Sequence, residues 1–209
     1  DTGSMDGLSA LFVVIISVGA VAAVLYSRGY LAHCLAEKSP AHISLHYTAL
    51  VAMFYAMLGV VLSDGGFSFL FFWELMTVAS FLLILFDAQR REVRRAALSY
   101  LIMMHIGFVL LVIGLVGGLV AFLLQWGLYS LIVSKIMSTM AAGIITVLPF
   151  ASVALPLLLV FLAGFGMKAG LFPMHVWLPE AHPAAPSHVS ALMSGVMIKT
   201  GVYGILRVT

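Results

Sequence analysis

The chain has 209 residues, of which 63% are hydrophobic and 9% charged, with a formal net charge of +2 and a mean hydropathy of +1.17. A soluble domain carries about 25% charged residues, so this composition excludes a soluble globular enzyme and a disordered tail. So small a net charge excludes a polyanion-directed protein such as a nucleic-acid binder. The continuous apolar runs, rather than period-two alternation over about ten residues, predict an all-α polytopic transmembrane helix bundle and not a barrel.

Six spans are expected in chain order: Leu8 to Tyr26, Tyr47 to Ser63, Phe67 to Phe86, Ala96 to Leu124, one from near Phe150 past Leu171, and Ser187 to Val208. No basic segment precedes the first, which therefore does not read as a cleavable signal peptide. The opening Asp1-Thr2-Gly3-Ser4 reads as a cut edge or a loop, and the whole as a piece of a longer protein. The sole cysteine, Cys34, permits no intrachain disulfide and reads as a loop thiol. Between Gln125 and Leu148 the chain is less apolar: Ser130, Ser134, Lys135 and Ser138 share one helical side, with Ile132, Ile136 and Met140 on another. That pattern suits a helix lying at the interface, or a connecting loop.

Lys and Arg set the orientation. Arg28, Lys38, Arg90, Arg91, Arg94 and Arg95 fall on one side of the membrane, and only Lys135 and Arg207 on the other. The first side is expected to be the cytoplasm or the equivalent compartment, with the N-terminus of the chain outside. Trp126 and Tyr129 near one boundary, and Trp177 near another, fit aromatic belts. No phosphate loop, dinucleotide fingerprint or paired-cysteine cluster occurs. His175, His182 and His188 follow a proline-rich stretch at spacings unlike those of a zinc site, so no metal and no cofactor is expected in this chain.

Three ionisable residues lie within spans: Glu74, Lys168 and Lys199. A charge at the bilayer centre costs about 2.5–3.5 kcal/mol on insertion scales, so such residues face a bundle interior and mark ion or proton routes. Glu74, seven residues into the third span, lies about 10 Å deep. Lys168 precedes Pro173, which removes a backbone donor. A fifth span ending at Leu171 would leave Lys168 close to the cytoplasmic surface, where it could snorkel; a helix broken near Pro173 and resumed to Pro179 would place it near mid-depth beside a polar cavity. Lys199 lies near the middle of the sixth span with no interfacial escape. His105, inside the fourth span, is a further candidate for moving protons, with a hydrogen-bonded core role as its rival. His188, at the start of the sixth span, reads as interfacial. A carboxylate brought within 4 Å of an ammonium interacts by about 4 kcal/mol at an effective dielectric near 20. That is about a thousandfold in proton affinity, enough to switch a lysine between holding and releasing a proton.

The run from Gly166-Met167-Lys168 through Phe172-Pro173-Met174-His175-Val176-Trp177-Leu178-Pro179-Glu180-Ala181-His182 resembles the broken helix of the antiporter-like subunits of respiratory complex I. The resemblance continues through Pro183-Ala184-Ala185-Pro186-Ser187-His188 to Ser194-Gly195-Val196-Met197-Ile198-Lys199-Thr200-Gly201. Trp73-Glu74-Leu75-Met76 is similar to the family's glutamate-bearing helix, and Asp6-Gly7-Leu8-Ser9 to the start of its third helix. Within that family the wording looks closest to the membrane subunits of hydrogenase-4 and formate-hydrogenlyase-type complexes.

The resemblance implies roles. Glu74 would modulate a lysine, Lys168 would be that lysine, and Lys199 the next relay lysine. Apart from the resemblance, His105 and His175 are further candidates for the proton relay. The resemblance implies residues 1–46 as an opening helix and cytoplasmic loop and 47–209 as the first five-helix repeat, without the second repeat. It also implies a proton-translocating subunit of a redox-driven complex of hydrogenase or NADH/quinone oxidoreductase type. Such a subunit is not itself the redox catalyst; its membrane and peripheral partners would carry NiFe or iron–sulfur centres. The alternative is a subunit of a multi-subunit sodium/proton antiporter. A membrane anchor with a decayed ion route is a third reading, and the three charges within spans argue against it.

Overall fold

The computed structural model describes residues 6–34, 38–135 and 141–208, and side chains there except those of 33 and 127–152. Among the described residues there are helices and no strands: α1 (Gly7–Cys34), α2 (Pro40–Leu62), α3 (Gly66–Ile84) followed by the 3-10 turn Leu85–Asp87, α4 (Arg91–Lys135), α5 (Ala141–Ala169), α6 (Leu178–Ala184), α7 (Ser187–Leu192) and α8 (Ile198–Val208). A π-helical segment, Met193–Met197, joins α7 to α8. Five helices, counting Ser187–Val208 as one, are long and apolar enough to cross a membrane, and Val153–Ala169 is a shorter apolar helix.

Local chemistry sets the helix ends. The Asp6 carboxylate accepts the Ser9 amide at 2.8 Å, an N-cap that starts α1. Ser39 accepts the His42 amide at 3.3 Å, and Pro40 occupies the first turn of α2, where its missing N–H costs nothing. The second span thus begins at Pro40 rather than Tyr47. Cys34 is the last residue of α1, its thiol directed to the Tyr30 carbonyl at 3.6 Å, and not a loop residue.

Three further expectations change. Helix α4 stays helical through Lys135, so no interfacial helix or loop begins at Gln125. Residues 136–140, with the expected Ile136, Ser138 and Met140 faces, lie outside the described residues, as do the side chains of Tyr129, Ser130, Ile132, Ser134 and Lys135. Helix α5 ends at Ala169, ahead of Pro173. Gly170 takes a left-handed φ of 67° and the Leu171 amide reaches back to the Gly166 carbonyl at 2.9 Å, the bonding of a Schellman cap. The glycine, not the proline, breaks the helix. Finally, Trp177 is fully buried and donates its indole N–H to the Met167 carbonyl at 2.8 Å, so it pins the broken segment and is not a belt residue. Trp126 is 66% exposed.

α2 packs on α3, α4 on α5, and α8 against α5 and α2. The centre is filled by methionines (Met53, Met57, Met76, Met104, Met193 and Met197, all 2% exposed or less), whose flexible thioethers fill irregular gaps. Close approaches rely on missing side chains: a Cβ on Gly201 would lie 2.6 Å from the Ala169 backbone nitrogen.

Candidate functional site

Lys168, the penultimate residue of α5, is 1% exposed. The glycine-capped end of α5 lies beside α3 at the level of Thr77. Thr77 is seven residues short of the end of α3 at Ile84, hence about 10 Å inside it. The ammonium donates to the Thr77 hydroxyl at 2.7 Å and, at 3.4 Å, to the Trp73 carbonyl. It also sits 4.8 Å from the centre of the Trp73 ring, within cation–π range. Thr77 in turn donates to the Trp73 carbonyl at 3.2 Å. Among the described residues no carboxylate lies within ion-pair distance of this ammonium. Three neutral acceptors from one turn of α3 hold the lysine in place of a counter-ion.

Glu74 is on the same turn of α3 but reaches α4. Its Oε1 lies 3.0 Å from His105 Nε2, and its other oxygen is buried without a partner. His105 Nδ1 lies 2.9 Å from the Leu101 carbonyl. A carbonyl only accepts, so Nδ1 is the nitrogen placed to donate there, and Nε2 and Oε1 face each other at hydrogen-bond distance. Sequence placed both residues in spans but gave no sign that they meet.

Lys199 faces outward from α8 and is exposed. Its ammonium curls back to the Ser194 carbonyl at 2.6 Å, inside the π-helical segment, where widened backbone pairing frees carbonyls. His175 packs near Phe172 with ring centres 5.7 Å apart, its Nδ1 buried and unpartnered. His182 pairs with Ser190 at 2.9 Å and His188 with His46 at 2.8 Å, so the three histidines of the proline-rich stretch do not converge. Among the described residues no group of three or more His, Cys, Asp or Glu is placed to hold a metal. Sequence reasoning missed Thr77 and His46. Thr77 lies one helical turn after Glu74, and His46 lies one turn after His42 in an apolar run, the two available signals.

A polar core continues from the lysine. Ser80, one turn after Thr77, meets the Tyr100 hydroxyl at 2.6 Å, and Tyr100 donates to the Met197 sulfur at 3.7 Å. On the face where the chain begins, Arg207 bonds Asp6 at 2.7 Å, the Tyr203 hydroxyl at 2.9 Å and the Ser9 hydroxyl at 2.7 Å. This network ties α8 to α1.

Residues 63–209 match the family model described as NADH:quinone oxidoreductase/Mrp antiporter, TM. Over 204 residues the chain is 36% identical to hydrogenase-4 component B of Escherichia coli (strain K12), covering 98% of this chain and 28% of that protein. It is 32% identical over 207 residues to a protein described as an antiporter subunit, mnhA2, of Staphylococcus aureus (strain MRSA252), covering 98% of this chain and 24% of that one. Among solved structures it resembles a chain of the membrane-bound sulfane sulfur reductase, an archaeal respiratory membrane complex. There the TM-score is 0.59 and the identity 30%, over 96% of this chain and 29% of the other. The chain thus spans less than a third of the length of the relatives named.

Proposed function

This chain belongs to the NADH:quinone oxidoreductase/Mrp antiporter transmembrane family, and on that premise we propose that it forms the proton-carrying part of a pumping subunit in a redox-driven membrane complex. It is an integral membrane protein of antiporter-like type. The observation that carries the proposal is Lys168, an ammonium buried among neutral acceptors at the capped end of a broken helix. A purely structural lysine would be matched by a carboxylate; one held by a hydroxyl and a carbonyl is free to exchange its proton.

In this reading Glu74 and His105 store a proton between α3 and α4, next to the turn that holds Lys168. Moving that proton on or off changes the charge one helical turn from the ammonium and thereby changes its hold on its own proton. Lys199 takes the next place. Glu74 is partly exposed and Lys199 exposed on the bundle surface. Charges at these depths are not left to lipid, so both faces are covered by protein in the assembled complex. Residues 47–209 act as one repeat of the pump. Other membrane and peripheral subunits supply the redox centres. The arginine-rich side, at Arg90 to Arg95, faces the cytoplasm of a prokaryotic cell.

A second reading is supported by the likeness to mnhA2: the same relay serving a sodium/proton antiporter without redox chemistry. The test uses the intact complex in inverted membrane vesicles. Lys168→Ala and Glu74→Gln each abolish coupled proton movement if the relay reading holds, and unchanged pumping in both overturns it. Proton uptake driven by a sodium gradient, and not by electron donors, selects the second reading.

A further inference from the structure

His46 of α2 and His188 of α7 are 4% and 2% exposed, and their Nε2 atoms lie 2.8 Å apart. Both Nδ1 atoms are buried without a partner. This is not the arrangement of two structural histidines, which would satisfy their outer nitrogens on carbonyls or hydroxyls. Nor does it suit a bridging metal, because two ligands bonded to one ion at about 2.0–2.1 Å each, on opposite sides, stand farther apart. A nitrogen–nitrogen contact of 2.8 Å is a hydrogen bond, so one ring donates and the other accepts.

The neutral pair holds two protons: the bridging one, and one on the outer nitrogen of the accepting ring. That leaves one outer nitrogen bare. Adding a single proton there fills both outer nitrogens and keeps the bridge. A second extra proton would place two N–H groups face to face and break it. The pair is therefore built to hold one excess proton, no more, and uptake and release involve no other bond.

The surroundings fit such a role. A groove of about 490 Å³ runs between α1 and the α7–π segment; Tyr26, Ser187 and His188 line one end, and its length is mostly apolar, with Ala22, Leu192 and Val196 among its walls. It leaves open space on the His188 side. His46 lies six residues into α2, about 9 Å from its start, a depth similar to that of Thr77 measured from the same face. Titratable groups at the pair are Tyr26 and Tyr30 of α1, whose rings lie 6.5 and 5.2 Å from that of His188, and Tyr47 of α2, whose ring lies 6.4 Å from that of His46. His42, one turn earlier in α2, bonds the Phe86 carbonyl at 2.9 Å. Phe86 packs on His46 with ring centres 4.8 Å apart. The neighbouring Asp87 is taken by Lys38 at 2.7 Å, and His182 of α6 by Ser190. No carboxylate competes for the excess proton in these contacts.

We propose that His46 and His188 form a loading site for a single proton, filled through the groove between α1 and α7, on the arginine-rich side of the bundle. The inference rests on the proton-carrying reading above and adds to it the place where protons are taken up. In the loaded state the two imidazoles share one positive charge; in the empty state they share none, and the proton passes inward from an outer nitrogen.

The experiment uses the intact complex in inverted vesicles, following coupled proton uptake for His46→Gln, His188→Gln and His188→Ala beside Lys168→Ala. All three histidine variants are expected to lower uptake about tenfold or more, as loss of a positioned proton carrier does. His188→Ala opens space beside the groove, so added imidazole is expected to restore uptake. Pyrazole, of the same size but a much weaker base, is expected not to. Equal rescue by both compounds, or no loss in any histidine variant while Lys168→Ala is inactive, overturns the loading site and leaves the lysine relay standing. Unchanged uptake in Lys168→Ala instead overturns the relay itself. Should the glutamine variants fail to assemble, the imidazole and pyrazole comparison on His188→Ala decides. Should that variant fail too, nitrogen-15 histidine spectra of the wild-type complex decide: one proton taken up by two coupled rings supports the site, and two independent titrations reject it.

Discussion

The Lys168 ammonium rests 2.7 Å from the Thr77 hydroxyl, and this contact, rather than an ion pair with Glu74, fixes the lysine inside the bundle. Glu74 turns to His105 at 3.0 Å. The carboxylate and the lysine therefore belong to two neighbouring polar groups on one turn of α3, and each makes its own prediction.

Thr77→Val keeps the shape and removes the hydroxyl. The ammonium then has only the carbonyl at 3.4 Å and the indole face. A hydrogen bond to a charged group is worth about 1.5–3 kcal/mol, so proton transport should fall by about tenfold or more. Thr77→Ser, which keeps the hydroxyl, should retain most of it. Proton uptake by vesicles containing each variant reads the difference, and equal activity of the valine and serine forms would dismiss Thr77 as a positioning residue.

Glu74 and His105 meet at 3.0 Å, so they should act as a unit. Glu74→Gln, His105→Gln and the double variant should lose transport to similar extents, with the double variant no worse than the worse single. Losses that simply multiply would mean the two residues work separately.

Gly170→Ala places a side chain at a φ of 67°, which costs a non-glycine residue about 1–2 kcal/mol. The new Cβ also meets the Leu178 side chain. Gly201→Ala drives a methyl into the Ala169 backbone, and overpacking of this kind costs about 1–3 kcal/mol. Both should lower the unfolding temperature of the purified complex in detergent. Gly29→Ala, at a position with open space around it, should not.

At the opposite face, the Ser9 amide and hydroxyl, and then the Arg207 guanidinium, hold the Asp6 carboxyl below the usual carboxylate range. Its folded pKa lies under its unfolded one. The stabilisation is therefore complete above about pH 4 and fades as pH falls through the lower folded value. Wild type and Asp6→Asn should differ in thermal unfolding at neutral pH and converge in acid. A constant difference across that range would separate Asp6 from the pH dependence.

The one-dimensional pattern of apolar runs was enough to make this an all-α membrane protein, because a span's length and hydropathy follow from bilayer thickness alone. The same cost of charge in lipid picked out Glu74, Lys168 and Lys199 without any coordinates. Tertiary structure decided which of them meet, because helix rotation and packing set a side chain's partners and sequence spacing does not reveal them. Burying Lys168 required Gly170 to end α5 and Gly201 to let α8 close against it. Joining Glu74 to His105, and His46 to His188, brought together residues 31 and 142 positions apart. Lys199, similar to Lys168 on a hydropathy plot, points out of the bundle. The 9% share of charged residues, with the long apolar runs, determined that the chain lies in a membrane. Only the packing of α3 against α4 and α5 decided that one buried lysine is held without a counter-ion, because that depends on which neutral acceptors a neighbouring helix turns toward it.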